Sequence, residues 1–291
     1  MPELPEVEVT RRRLTPALLG RTIVRVTTSR PSGCFLTPPR VLAARLTGRR
    51  VTALARHGKY LLLDLDDGSR LMLHLGMTGQ LVTADAKSAR LTRAALPDDS
   101  APGRPAPFTP DRHTHLRLEL DGPGPAVFFR DARRFGRVRW LAAGEREPRL
   151  ERLGPDALAL DDALLFAKTR GRRVAMKSLL LDQAVLAGVG NIYADEALFL
   201  AGVRPTRRAG RLTRAEAGAL TRAIREVLAR AIDAGGSSIS DYVQPDGADG
   251  AYQLERRVYA RGGEPCERCG ATLRQLVLNA RSSCFCPRCQ R

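Results

Sequence analysis

Residue types and spacing point to chemistry at the two ends of the chain. Near the C-terminus, Cys266-Glu-Arg-Cys269 and Cys286-Pro-Arg-Cys289 are two CxxC pairs with sixteen residues between them. Each pair offers two thiolates from one tight turn, and four together make the tetrahedral soft-ligand shell that suits one structural Zn²⁺. A four-thiolate shell leaves no open position for a substrate; a redox or iron site is the alternative. Cys34 and Cys284 fall outside the spacing and read as free thiols, although Cys284, two residues before a ligand, could compete for zinc. At the other end, removal of Met1 would expose the secondary amine of Pro2, and a small second residue favours that removal. An α-amino group titrates near ~8, so part of it is unprotonated at neutral pH and can attack an electrophilic carbon. By spacing alone, Pro2, Glu3 and Pro5 fit a proline-rich helix entry equally well.

The chain has 291 residues, with 48 Lys plus Arg against 31 Asp plus Glu, a net charge of 48 − 31 = +17. At ~150 residues per domain this length suggests two domains. The charge favours a polyanion as partner, and nucleic acid over a membrane, because no basic amphipathic anchor helix is evident. Compositional bias is the rival explanation, since only Lys59, Lys87, Lys168 and Lys177 are lysine and the rest of the 48 are arginine. No long apolar run occurs, and Glu3, Glu6 and Glu8 stand where a signal peptide would be basic. The expectation is a soluble, non-secreted protein.

Certain elements must hold these residues in place. Val7, Leu14 and Leu18 repeat at helical spacing after Pro5 until Gly20. Strands and hairpins follow: Thr22 to Val26, Tyr60 to Leu65 turning through Asp66-Asp67-Gly68 into Leu71 to Leu75, and His115 to Leu120 turning into Ala126 to Phe129. Strands at this spacing suggest a sandwich or barrel. Between about 84 and 110 the pattern lapses, and five prolines fall within Pro97 to Pro110, which reads as a mobile surface insertion. From about Leu150 helices dominate. Val174 to Leu186 and Asn191 to Leu200 flank Ala187-Gly-Val-Gly190, and a longer helix starts at the Thr213/Glu216 capping box and stops before Gly235-Gly236. The segment from Glu255 to Arg291 holds eight Arg and three Glu, a local +5 that suits a phosphate clamp.

With Pro2-Glu-Leu-Pro-Glu-Val-Glu8 at one end and Cys-Pro-Arg-Cys-Gln290 at the other, the chain resembles the bacterial Fpg/MutM formamidopyrimidine-DNA glycosylases nearly end to end. Between lie Gly58-Lys59-Tyr60-Leu61, His74-Leu-Gly-Met-Thr-Gly79, His113-Thr-His115, Arg133-Arg-Phe-Gly136, Leu153-Gly-Pro155, Gly188-Val-Gly-Asn-Ile-Tyr193 and Val258-Tyr259. The resemblance implies an α+β fold: residues 1–142 as an N-terminal β-sandwich with a catalytic N-terminal helix, 150–240 as a C-terminal helix-two-turn-helix domain, and 255–291 as a four-cysteine zinc ribbon, with DNA in a basic cleft between domains. It implies a glycosylase/AP lyase for oxidised purines, 8-oxoguanine and formamidopyrimidines, in damaged double-stranded DNA. Pro2 would attack C1′ and form an iminium ion leading to β,δ-elimination, with Glu3 as acid/base and Lys59 as proton donor. Arg281 would contact phosphate and assist δ-elimination. Met77, Arg133 and Phe135 would fill the gap left by an extruded nucleotide, and His113, Arg173, Lys177 and Asn191 would contact backbone phosphates. The expected setting is the bacterial cytoplasm, on the nucleoid through DNA, as a monomer.

Leu4 favours this branch over the related endonuclease VIII enzymes for oxidised pyrimidines, and intact Pro2, Glu3 and Lys59 argue against a non-catalytic DNA-binding zinc protein. The ribbon departs from the family pattern at Ser283 and Cys284, and the insertion between Gln80 and His113 is longer than usual. The loop Gly235 to Tyr242 matches the one that closes over an extruded purine.

Overall fold

A computed structural model describes residues 1–88, 91, 107–238 and 242–291. The chain divides into two compact units: Met1–Glu147 with Ala234–Ala251, and Pro148–Asp233 with Tyr252–Arg291. Among the described residues no helix is long and apolar enough to cross a membrane.

The first unit holds two four-stranded antiparallel sheets. One has the order β1 (Ile23–Thr28), β6 (Thr114–Leu120), β7 (Val127–Asp131), β5 (Gly79–Thr83); the other runs β2 (Val51–His57), β3 (Tyr60–Leu65), β4 (Arg70–His74), β8 (Arg137–Leu141). The two-residue period does the sorting: in β6, Leu116 and Leu118 are buried while Arg117 between them is exposed. Those leucines join Leu61, Leu63, Leu71, Leu73 and Phe129 in one core, which also takes the apolar stripe Val7, Leu14 and Leu18 of α1 (Leu4–Leu18). A short helix α2 (Pro39–Leu46) buries Leu42 and Leu46 in the same core.

Strand β7 runs on to Asp131, past the apolar run that marks it in the sequence, because its two terminal charges are both satisfied inside. Arg130 pairs with Asp111 at 2.8 Å, and Asp131 accepts from Thr78 and Gly136. Of the segment expected to be a mobile insertion, 89–90 and 92–106 lie outside the described residues. Its described ends are anchored: Ala86 and Phe108 are buried with Phe128 and Val243.

The second unit is helical, with α3 (Asp162–Thr169), α4 (Met176–Leu181), α5 (Asn191–Leu200) and α6 (Arg214–Asp233), followed by the β9 (Arg274–Leu278) and β10 (Arg281–Phe285) hairpin. The Thr213/Glu216 capping box forms in both directions, at 2.9 and 3.2 Å. Helix α4 stops at Leu181, short of the Leu186 that apolar spacing suggests. Asp182 ends it with its carboxylate accepting the Ala184 N–H at 3.0 Å, and Gln183 then braces the next turn, accepting from Gly188 N–H and donating to the Val189 carbonyl.

Candidate functional site

The first unit presents Pro2 and Glu3, both buried, immediately ahead of α1. Glu3 is the N-cap of a capping box with Glu6, whose Oε2 accepts the Glu3 N–H at 2.8 Å. The same carboxylate accepts Ser237 N–H on Oε1 at 2.8 Å, and Tyr242 donates its hydroxyl to the Glu6 carbonyl at 3.2 Å. One buried glutamate therefore ties the chain start to both ends of the 235–242 loop; residues 239–241 of that loop lie outside the described residues.

Two residues further along α1, Glu8 accepts from Arg11, Arg12 and Arg56 at 2.8–3.0 Å. Burial alone would push its carboxyl up, but the three guanidinium hydrogen bonds win and hold it at about 2. Lys59 is a buried lysine in the two-residue turn joining β2 to β3, where His57 pairs with Tyr60. Gly58 precedes it with φ +56°, the left-handed backbone that such a tight turn requires and that glycine adopts at little cost. Across the strand pair, His74 lies opposite Tyr60, ring centroids 4.7 Å apart. Burial, reinforced by the Lys59 and Arg137 cations, pushes His74 down to about 4, so it is neutral at pH 7.

Met77 and Phe135 are among the exposed large apolar side chains, 40% and 45% accessible, and the Arg133 guanidinium stacks over the Phe135 ring at 4.7 Å. They stand on two loops locked together from below. Asp131, fully buried, accepts Thr78 Oγ1 at 2.5 Å on one oxygen and Gly136 N–H at 2.7 Å on the other. Gly76 lies so close to the 135–136 backbone that a Cβ there would meet the Phe135 carbonyl carbon at 2.5 Å. His113 is half-buried in the Asp111–Thr114 turn, its backbone N–H on Asp111 Oδ1 at 3.0 Å. Burial lowers its imidazole from the ordinary value, outweighing nearby Asp111.

In the second unit Arg173 is exposed just before α4. Asn191 opens α5 behind Gly190, with no side chain capping that end, and its Oδ1 is buried without a hydrogen-bond partner. Lys177 stands elsewhere than a phosphate contact requires. Fully buried, it pairs with Asp195 at 2.7 Å and donates to the Ser282 carbonyl at 2.8 Å. Asp195 also accepts Cys284 N–H at 3.0 Å, and its neighbour Glu196 accepts three backbone N–H groups, of Arg257, Val258 and Tyr259, at 2.8–2.9 Å. Two successive acids of α5 thus hold the ribbon. Arg281 is exposed at the start of β10, after a two-residue turn in which Asn279 and Ala280 both have positive φ, +49° and +58°.

The four expected ligands converge: the sulfurs of Cys266, Cys269, Cys286 and Cys289 lie within 4.8 Å of one another, with Cys266 to Cys289 at 3.9 Å and Cys269 to Cys286 at 3.5 Å. A tetrahedron with Zn–S bonds of ~2.3 Å has edges of about 3.8 Å, so the set fits one zinc ion. Cys284 is buried in the same packed cluster as Cys266 and Cys286, its thiol donating to Gln275 Oε1 at 3.7 Å. Cys34 is also buried, beside Ser32 Oγ at 2.9 Å, and burial raises its thiol pKa.

Nothing in the sequence singles out Glu6, Asp131, Asp195 or Glu196 for these roles. The pairs Glu6–Ser237, Asp131–Thr78, Asp195–Lys177 and Glu196–Arg257 are 231, 53, 18 and 61 positions apart, so no local pattern reports these contacts.

Comparison with known proteins covers the whole chain. Residues 1–138 match the formamidopyrimidine-DNA glycosylase N-terminal domain, 153–243 the H2TH domain of the same enzymes, and 263–291 the zinc finger found in FPG and IleRS. A formamidopyrimidine-DNA glycosylase of Cereibacter sphaeroides is 47% identical over 297 residues, covering 100% of both chains. The crystal structure of the MutM (Fpg) protein from Thermus thermophilus superposes with a TM-score of 0.81 at 41% identity, covering 99% of this chain and 98% of that one. A Lactococcus lactis Fpg mutant bound to DNA containing Fapy-dG gives 0.84 at 32% identity, covering 100% of both.

Proposed function

Because the chain belongs to the formamidopyrimidine-DNA glycosylase family, we propose that it excises oxidised purines from damaged double-stranded DNA and then cuts the strand as an AP lyase. The observation that carries the reading is the start of α1, where Pro2 and Glu3 are buried and the backbone N–H of Glu3 is held by Glu6 at 2.8 Å. Removal of Met1, which is 43% exposed, frees the Pro2 amine. That nitrogen bonds to C1′ as the glycosidic bond to the base breaks. Glu3 assists opening of the sugar by moving its proton. A secondary amine yields an iminium with no N–H to lose, so the adduct stays cationic and acidifies the 2′ hydrogens. β-Elimination then expels the 3′ phosphate with Lys59 as proton donor, δ-elimination expels the 5′ phosphate with help from Arg281, and hydrolysis returns Pro2.

Met77, Arg133 and Phe135, exposed on loops pinned by Asp131, suit the role of a rigid wedge for the vacated stack. His113, Arg173 and Asn191 serve as backbone-phosphate contacts, Asn191 through its side-chain N–H at the start of α5. Lys177 supports the strand that begins at Arg281 instead of reaching DNA itself. The zinc ion is structural and holds the ribbon that presents Arg281. The enzyme works as a monomer in the bacterial cytoplasm, at the nucleoid.

Sodium borohydride trapping on duplex containing 8-oxoguanine opposite cytosine tests this. The wild type, with Met1 removal confirmed by mass spectrometry, gives a covalent adduct; Pro2→Gly, which exchanges the secondary amine for a primary one, should lower it. No adduct from the processed protein refutes the enzyme reading, and stronger trapping on oxidised-pyrimidine duplex would move it to the endonuclease VIII branch.

A further inference from the structure

We propose that Arg56 is a positioning residue that sets Lys59 relative to the helix carrying Pro2, an inference that rests on the roles given above to those two residues. The Arg56 side chain is 7% exposed and bonds in two directions. Its Nε donates to Glu8 Oε2 of α1 at 3.0 Å, and its Nη1 donates to the Gly58 carbonyl at 2.9 Å. That carbonyl belongs to the same planar peptide unit as the Lys59 N–H. Fixing it fixes the backbone from which the lysine side chain departs.

Charge balance argues that the second bond is the purpose of the first. Glu8 already receives both Arg11 and Arg12, at 2.8 Å each, so a third cation is not needed to neutralise it. What only Arg56 supplies is a planar fork with one prong on the helix and another on the hairpin turn. Gly58 makes that turn soft, since at φ +56° it has no side chain to wedge it in place. Without Arg56 the Gly58 carbonyl loses this hydrogen bond, and an ammonium on a four-carbon stem magnifies any shift of the peptide unit before Lys59. Glu8 is held at about 2, so the link stays intact throughout the working pH range.

Single-turnover kinetics on duplex containing an abasic site, with borohydride trapping alongside, separates lysine positioning from general damage. Arg56→Leu should slow strand nicking by about 10- to 100-fold while the trapped Pro2 adduct stays within about threefold of wild type. In a Lys59→Ala background the same substitution should slow nicking no further, because a residue acting through the lysine has nothing left to position. Arg56→Lys keeps the charge beside Glu8 but gives up the fork and should fall between, which keeps the test available if the leucine variant folds poorly. Multiplicative losses in the double variant, or trapping that falls in step with nicking, would overturn the inference while leaving the Pro2 chemistry standing. A wild type that never traps would remove both.

Discussion

Each unit buries a carboxylate against basic side chains, and the two end on opposite sides of their ordinary range. Glu8 in the first unit is 5% exposed, meets three guanidinium groups and is held at about 2. Asp195 in the second is 1% exposed and has one ammonium, Lys177; there burial wins over that cation and raises it to about 6. Asp195 lies deeper in its unit and has Glu196 beside it, so burial presses harder on it than on Glu8. Depth of burial and the number of cationic donors together decide whether a buried acid is kept as an anion or left close to taking a proton.

The largest expected break in this contrast comes from the metal. Cys269→Ala should cost the ribbon much of a zinc-binding free energy of ~10 kcal/mol or more. DNA affinity should fall, while the first unit, followed through Trp140, the sole tryptophan, unfolds at its usual denaturant concentration. If the Trp140 transition shifts equally, the two units are one cooperative block. Next, Asp195→Asn strands the buried Lys177 and Glu8→Gln strands the buried Arg56, and each should destabilise by about 3–5 kcal/mol. Replacing Lys177 and Asp195 together by Met and Leu should recover most of the first loss. Urea unfolding gives all three values.

Acid should move the units in opposite directions. Asp195 sits above its ordinary 3.8, so its contribution is complete below that pH and is lost as pH rises through about 6. In the first unit His74 lies below its ordinary 6.5 and Glu8 below 4.5; their contributions are present at higher pH and lost as pH falls through about 4 and about 2. Between pH 6.5 and 4.5 amide exchange should therefore slow in α5 and quicken around β4, by ~1–2 kcal/mol in each. Parallel change in both would contradict the contrast. The smallest effect concerns the hairpin tips. Gly58 and Ala280 both have positive φ, +56° and +58°, but only the alanine is strained. Ala280→Gly should stabilise the ribbon by about 1 kcal/mol, and Gly58→Ala should cost the first unit about as much.

The parts of the molecule legible in sequence are those written in local period or fixed spacing: α1, the β3–β4 hairpin, the α6 capping box and the four cysteines. Lys177 shows where that stops. On a short helix a lysine reads the same whether it meets a phosphate or a carboxylate 18 residues on, and only the packing of α5 and β10 around it decides. Periodicity overstates the reach of α4 for a related reason. Apolar spacing continues to Leu186, but Asp182 and Gln183 spend their side chains on the backbone of the following turns. It understates β7, because Arg130 and Asp131 look like a strand end until Asp111, Thr78 and Gly136 are seen to satisfy them.

The return of residues 234–251 to the first unit has a consequence for the making of the protein. Glu6 waits for Ser237, 231 positions later, and Thr83 for the carbonyl of Pro245. On a ribosome releasing ~5–20 residues per second, the N-terminal unit is long out of the exit tunnel before its last segment exists. Its amine terminus is therefore open to methionine removal throughout most of synthesis, and closes into its finished surroundings only after the second unit's long helix has been made.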